Sequence, residues 1–383
     1  MSIESGAMRA VARVDLGAIE ENCRRLRGDL EASSSLCAVV KADGYGHGAV
    51  EAGRAALAGG AVQLAVAAAE EARELREAGL TEIPLLVMGA LTGAEMAVAL
   101  GAGAEVVLWR EDAVERVAGA GGGRVHVKLD TGMGRLGTRD AGEALRVVER
   151  VADTPGLELA GVMTHFATAD ELDDGGFFER QLDAFREFVS EVRAAHPGVT
   201  AHAANSAALL RSKEAHLDMA RCGIAVYGMD PFGRDPLARR LRPALELRSY
   251  VAEVKLCRAG QSTGYGRRFV AEHDTWLGVL PLGYGDGFRR ALSNNAEVLV
   301  DGRRRPQVGT VSMDNVAIDL GPDPAAEGLR GAEAIVIGGQ GEELVTAEEL
   351  ATRIGTINYE ITCGVTARVP RLYIPAEAEE GDR

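Results

Sequence analysis

The sequence predicts a (β/α)8 barrel followed by a mostly β domain. Short apolar runs alternate with Ala-, Glu- and Arg-rich segments from the N-terminus onward. Eight such runs with helical segments between them span about 220 residues, the size and order of a (β/α)8 barrel. The alternation then stops near 241–248 (Leu-Arg-Pro-Ala-Leu-Glu-Leu-Arg), and short runs follow one another across Gly, Pro and Asp turns. A doubly wound open sheet has the same alternation and stands as the structural alternative.

In chain order, 10–14 (Ala-Val-Ala-Arg-Val) reads as a short strand, and segment 1–13 is expected to pack with the C-terminal domain. Asp15 caps a helix to about Leu30, with Leu16, Ile19, Cys23 and Leu26 at helical spacing. The barrel, 14–244, has strand candidates at 36–41, 62–67, 84–89, 105–109, 124–130, 157–165, 199–205 and 219–227. Helical segments such as 68–79, 139–152 and 176–195 lie between them. The second domain, 245–383, has strand candidates at 247–257, 276–282, 296–301, 306–311, 315–320 and 333–338. One helix is predicted there at 346–354, where Thr346 with Glu349 makes a capping box. The acidic segment Ala376 to Arg383 is expected to fray.

Composition excludes several function classes. With 42 basic and 57 acidic residues the net charge is −15, against the basic stripe that nucleic-acid binding requires. The compact basic run Arg303-Arg304-Arg305 reads as a solvated hairpin turn rather than a polyanion site. Five scattered cysteines without a C-x-x-C fit a reducing compartment, and the seven histidines form no metal-ligand motif. No apolar run has the length of a membrane span, and residues 1–10 have no signal-like apolar core, so a cytoplasmic protein is expected.

The chemistry collects where a barrel carries it, at the C-terminal ends of strands. The first strand ends in Lys41, before the glycine-rich Ala42-Asp43-Gly44-Tyr45-Gly46-His47-Gly48. The fifth runs into Lys128-Leu129-Asp130-Thr131-Gly132-Met133-Gly134-Arg135, the sixth ends in Thr164-His165-Phe166, the seventh in Asn205-Ser206, and the eighth holds Arg221-Cys222-Gly223-Ile224. Singly, each has an ordinary reading: a solvated lysine, a turn, a core histidine, half of an ion pair. Five strands in order ending this way point instead to a charged, phosphate-bearing small molecule, with Asn205, Ser206 and the amides near Gly223 and Ile224 at the phosphate position. A lysine beside a phosphate site suggests covalent attachment of pyridoxal 5′-phosphate. Arginine only donates. As partner of the ring nitrogen it leaves that nitrogen unprotonated and the carbanion less delocalised, which suits a racemase better than a transaminase.

As a set, these residues resemble bacterial alanine racemase. The resemblance rests on Val39 to Gly48, Lys128 to Gly137, Thr164 to Asp170, Ala204 to Ala207 and Arg221 to Gly228. It continues through Gly264-Tyr265-Gly266, Gly283 to Gly287, Gly309 to Asn315, Ile357 to Glu360 and Arg368 to Arg371. It implies a cofactor-binding barrel with a β domain, assembled as a head-to-tail homodimer with shared active sites. By position it implies that Lys41 holds the cofactor and is the base on one face of Cα, and that Tyr265, from the partner subunit, is the base on the other. His165 and Arg221 would supply the positive surroundings, with Arg221 facing the ring nitrogen. Tyr45, Ser206, Gly223, Ile224 and Tyr359 would surround the phosphate, with Asn205 beside them. Arg135 and Met313 would position the substrate, and Tyr284 would line the entrance. Lys128 matches a lysine that some relatives carry as a carbamate bridging to Arg135. Ser312 stands where many relatives have cysteine, and Gly264 where serine is common. The alternatives are a racemase of broader specificity for serine or basic amino acids, a non-catalytic cofactor-binding protein, and a decarboxylase of the same barrel type.

Overall fold

The computed structural model describes residues 8–376, so the expected fraying beyond Ala376 lies outside the described residues. The chain divides into two compact units: Ile19–Val226, and the described segments before and after it.

The unit Ile19–Val226 is built on parallel strands. After β1 (Ala10–Asp15, in the other unit) come β2 (Ser35–Val39), β3 (Gln63–Val66), β4 (Leu85–Val87) and β5 (Glu105–Leu108). They are followed by β6 (Gly123–Lys128), β7 (Leu157–Met163), β8 (Thr200–His202) and β9 (Met219–Cys222). Each pairs in parallel with the next from β2 to β8, and β9 pairs with β2. Amides of Asp218 and Arg221 donate to the carbonyls of Ala201 and Ala204, which brings β8 against β9 and closes the barrel. The open-sheet alternative is thereby excluded. Strands buried on both faces read as continuous apolar runs, and Leu36, Leu64, Leu85, Leu86 and Met163 are fully buried. Burying each contributes about 1.5–3 kcal/mol. The strands end earlier than the sequence predicts: Lys41 lies beyond Val39, and His165 beyond Met163. At those ends the backbone turns into loops that carry the polar residues.

The other unit contains β1, β10 (Leu245–Tyr250), β11 (Glu253–Cys257), β12 (Ser262–Thr263), β13 (Phe269–Val270), β14 (Thr275–Leu280) and β15 (Glu297–Val300). It continues with β16 (Arg303–Val308), β17 (Val316–Gly321), β18 (Glu333–Gln340), β19 (Glu343–Val345) and β20 (Arg371–Ile374). Its main sheet runs β11-β14-β17-β16-β15-β18-β10-β1-β20, with β19 on β18. Here β10 and β17 alternate buried with half-buried positions, the pattern of a sheet with one covered face. β1 lies antiparallel to β10 and parallel to β20.

Three expectations are corrected. The single strand 247–257 is two, β10 and β11, broken at Val251-Ala252. The capping box at Thr346 is half formed: Thr346 Oγ1 accepts from Glu349 N at 3.1 Å, but the Glu349 carboxylate turns to Arg304 and Arg353. The Arg303–Arg305 run is no solvated turn. The turn is Asp301-Gly302, both at positive φ, while Arg304 bonds Glu343, Glu349 and Glu297. A second helix, Asn358–Cys363, and the β12–β13 hairpin around Tyr265 are additions. Asp15 Oδ1 accepts from Ala18 N at 2.9 Å, the cap read from sequence.

Candidate active site

Lys41 opens a turn of uncommon handedness. Ala42, Asp43, Gly44 and Tyr45 have φ of 52°, 53°, 59° and 54°, a left-handed region that side-chain-bearing residues occupy at roughly 1–2 kcal/mol each. The turn is held by Glu71, which accepts from Ala42 N at 2.6 Å, and by Asp43 Oδ1, which accepts from Ala49 N at 3.1 Å. It buries Tyr45 and sets Lys41 Nζ 6.0 Å from the centre of its ring. A Cβ on Gly223 would overlap the Tyr45 hydroxyl, so only glycine admits the ring there. Ser206 Oγ accepts from Gly223 N at 3.1 Å and Ala225 N at 3.3 Å. Ile224 is buried beside them. The Asn205 oxygen caps the following turn by accepting from Ala208 N at 2.9 Å.

Arg221 is buried without an ion pair among the described residues. Nη2 donates to Thr164 O at 2.8 Å and Ala203 O at 3.1 Å, with His165 Nδ1 at 3.4 Å; Nη1 donates to His202 Nδ1 at 2.9 Å. Its Nε–H makes no hydrogen bond to a described residue. Burial, then Arg221, Lys128, Arg135 and Lys41, hold His165 well below the ordinary imidazole range. Burial, then Arg221 and Arg135, bring Lys128 down to about 8. Arg135 is exposed on the glycine-rich loop, where Asp130 is occupied by the amides of Gly132 and Gly134 and by Arg139.

The remaining predicted residues lie in the other unit. Tyr265 is 74 % exposed, and its carbonyl accepts from Thr310 Oγ1 at 2.6 Å. Two residues on, Ser312 O and Met313 O accept from Tyr284 N and Gly285 N at 3.0 and 2.9 Å. One short segment, 310–313, thus ties Tyr265, Met313 and Tyr284 to a single scaffold. All three side chains are exposed. Tyr359 is half-buried on the helix Asn358–Cys363, which Asn358 anchors through Asp230 O and Glu348 Oε1.

Sequence reasoning missed His202, His126 and Glu105, buried polar residues linked to Arg221. The available signal was a glutamate or histidine at a buried position within a barrel strand. Among the described residues no cluster suits a metal ion.

The residues fit pyridoxal 5′-phosphate. Four cationic groups, Lys41, Lys128, Arg135 and Arg221, converge electrostatically around neutral His165, a setting for a ligand bearing phosphate and carboxylate. The glycine at 223 and the amide beside it complete a cradle under Tyr45.

A closed barrel with a lysine at its first strand end and a donor-only arginine at its last defines a pyridoxal-phosphate-dependent isomerase of amino acids. The N-terminal domain model of alanine racemase matches residues 14–231, and the C-terminal domain model matches 244–373. The chain is 40 % identical to alanine racemase of Geobacillus stearothermophilus over 94 % of its length and 92 % of the relative's, and 42 % identical to that of Halalkalibacterium halodurans over 94 % of each. The crystal structure of alanine racemase from Streptomyces lavendulae superposes with a TM-score of 0.89 at 38 % identity, over 96 % of this chain and 97 % of that one. The Streptomyces coelicolor enzyme gives 0.88 at 37 %, over 97 % and 99 %. The chain belongs to the alanine racemase family.

Proposed function

We propose that this chain interconverts L- and D-alanine by a two-base route, supplying D-alanine for peptidoglycan from the cytoplasm. The observation that carries the reading is Arg221: a guanidinium held inside the barrel by Thr164 O, Ala203 O and His202, a group that only donates and that stays protonated at neutral pH although burial brings it down to about 10. When bound, pyridoxal 5′-phosphate supplies the electron sink that acidifies the Cα proton of the amino acid.

The chain's own residues do the rest. Lys41 carries the cofactor and moves the proton on one face of Cα. Tyr265 moves it on the other, reaching in from a partner subunit in a homodimer; the exposed Tyr265, Tyr284 and Met313 on one scaffold are the surface such a partner would receive. A free tyrosine titrates near 10, so Tyr265 needs a cation close by; Arg221 would provide it across the subunit boundary, relayed through the neutral His165 beside its guanidinium. Arg221 would sit toward the ring nitrogen of a bound cofactor and, as a group that only donates, would leave that nitrogen unprotonated and favour return of the proton to Cα. Tyr45, Ser206, Gly223, Ile224 and Tyr359 hold the phosphate, with Asn205 fixing the turn beside it. Arg135 and Met313 orient the substrate. Tyr284 narrows the entrance, which favours alanine over larger amino acids.

The test is the visible absorbance of the purified protein, a coupled assay for D-alanine, and a kinetic panel of alanine, serine, lysine and arginine. Lys41→Ala should lose both the lysine-linked absorbance and the activity. A Lys41→Ala protein that racemises at the wild-type rate would sink the assignment.

A further inference from the structure

Behind Arg221 the barrel interior holds a column of polar side chains that the roles above do not use. Arg221 Nη1 donates to His202 Nδ1 at 2.9 Å. His202 Nε2 lies 2.8 Å from His126 Nδ1, and His126 Nε2 lies 2.7 Å from Glu105 Oε2. The carboxylate also accepts from Gln63 Nε2 at 2.9 Å and Arg124 Nε at 2.7 Å, and Arg124 pairs in turn with Glu158. Glu105, His126, His202 and Arg221 are each at most 6 % exposed.

The backbone is shaped around this path. The register between β6 and β7 shifts between Val125 and His126. A Cβ on Gly161 would overlap His126 Nδ1 and lie 2.7 Å from Thr200 O, so a side chain there would close the passage. The imidazoles meet edge to face at 84°. Glu105 opens β5 while His202 closes β8, so the column runs from the strand starts to the strand ends.

Every bond in it has one allowed direction. Arginine only donates, so His202 Nδ1 accepts and carries its proton on Nε2. His126 Nδ1 therefore accepts, and its Nε2–H donates to Glu105. Burial, then Arg221, keep His202 well below the ordinary imidazole range. Burial pushes Glu105 up, but the bonds from His126 and Arg124 outweigh it and hold the carboxyl at about 2. The column thus alternates cation and carboxylate around two neutral rings: Arg221, then Glu105, Arg124 and Glu158.

We infer that Glu105 is a positioning residue for Arg221. It delivers counter-charge through His126 and His202, fixing the orientation and the donor strength of a guanidinium that touches no described carboxylate. The inference rests on the assignment of Arg221 to the cofactor's ring nitrogen. Removing the Glu105 charge makes the Arg221 donors more acidic; breaking the column frees its orientation.

The first arm uses wild-type protein freed of cofactor, with 15N-labelled histidine. Expected are neutral Nε2–H tautomers at both His126 and His202 at neutral pH, as the bond directions require, each assigned by its loss in a His→Gln variant. An imidazolium, or an Nδ1–H tautomer at His202, overturns the inference whether or not any Glu105 variant folds. The second arm is Glu105→Gln, which keeps an accepting oxygen and removes the charge. It should shift the visible absorbance of the loaded enzyme and lower kcat in both directions about tenfold or more, with KM within about twofold. Glu105→Asp should restore part of both. A folded Glu105→Gln with wild-type spectrum and kcat overturns the inference while leaving the racemase reading intact. Wild-type protein with the expected tautomers but no racemisation overturns the Arg221 assignment instead, and the inference with it.

Discussion

Supplying or withdrawing dissolved carbon dioxide should change the charge of Lys128. The side chain is 4 % exposed at the end of β6, and burial with Arg221 and Arg135 brings its amine down to about 8. At about pH 7.5 that leaves about a quarter of it neutral, against about one part in 800 for an ordinary lysine. A neutral nitrogen there would attack carbon dioxide, release one proton to solvent and become a carbamate anion. An anion then replaces a cation among Lys41, Arg135 and Arg221. The linkage has a definite sign. Between about 8 and 10.4 the unfolded chain binds the extra proton, so stability rises with pH across that window; below about 8 the full penalty of the buried cation, roughly 3 kcal/mol, is present. Carbamylation removes the same penalty near neutral pH. Labelled bicarbonate should give a 13C carbamate resonance that is absent in Lys128→Met. Urea unfolding at about pH 7.5 should gain about 1–3 kcal/mol with bicarbonate relative to carbon-dioxide-free buffer. No labelled carbon at Lys128, together with stability flat between about pH 8 and 10, would refute the reasoning.

Other perturbations follow from the same geometry. Gly223→Ala places a methyl 2.7 Å from Tyr45 Cζ and into its hydroxyl. It should weaken pyridoxal 5′-phosphate about tenfold or more in an absorbance titration, and unchanged affinity would count against the cradle. Tyr265→Phe removes a hydroxyl without disturbing the Thr310 bond to its carbonyl. Solvent deuterium should still enter Cα of one enantiomer while entry to the other falls about a hundredfold; equal loss on both faces argues against two bases. Arg304→Met severs bonds to Glu343, Glu349, Glu297 and Leu344 O. Denaturation should show a loss of about 1–3 kcal/mol with the cofactor spectrum unchanged.

The barrel was legible because strands buried on both faces leave unbroken apolar runs, as at Leu36–Val40 and Leu64–Val66. Their ends were not. The pattern 219–227 stays apolar past Cys222 although the backbone turns into a 3-10 helix at Ile224–Tyr227. The β12–β13 hairpin escaped because its strands are two residues each, too short for a period. At the site, residues carried by compact motifs were readable: Lys41 with Tyr45, Arg221 with Gly223. Glu105, His126 and His202 come from three strands with no local motif, and only barrel closure brings them into line. Arg304 misled for the same reason, since its acid partners lie on β15, on β19 and in the helix after Thr346.

The position of β1 bears on how the chain is made. Ala12 pairs with Leu247 on one side and with Arg371 on the other. Ribosomal synthesis at about 5–20 residues per second delivers the second neighbour roughly 20–70 s after the first strand has emerged. In that interval the whole segment Ile19–Val226 has been synthesised and can fold, while the earliest-made strand still has exposed hydrogen-bonding edges. Vectorial synthesis therefore lets the segment Ile19–Val226 fold before β1 can gain its second neighbour.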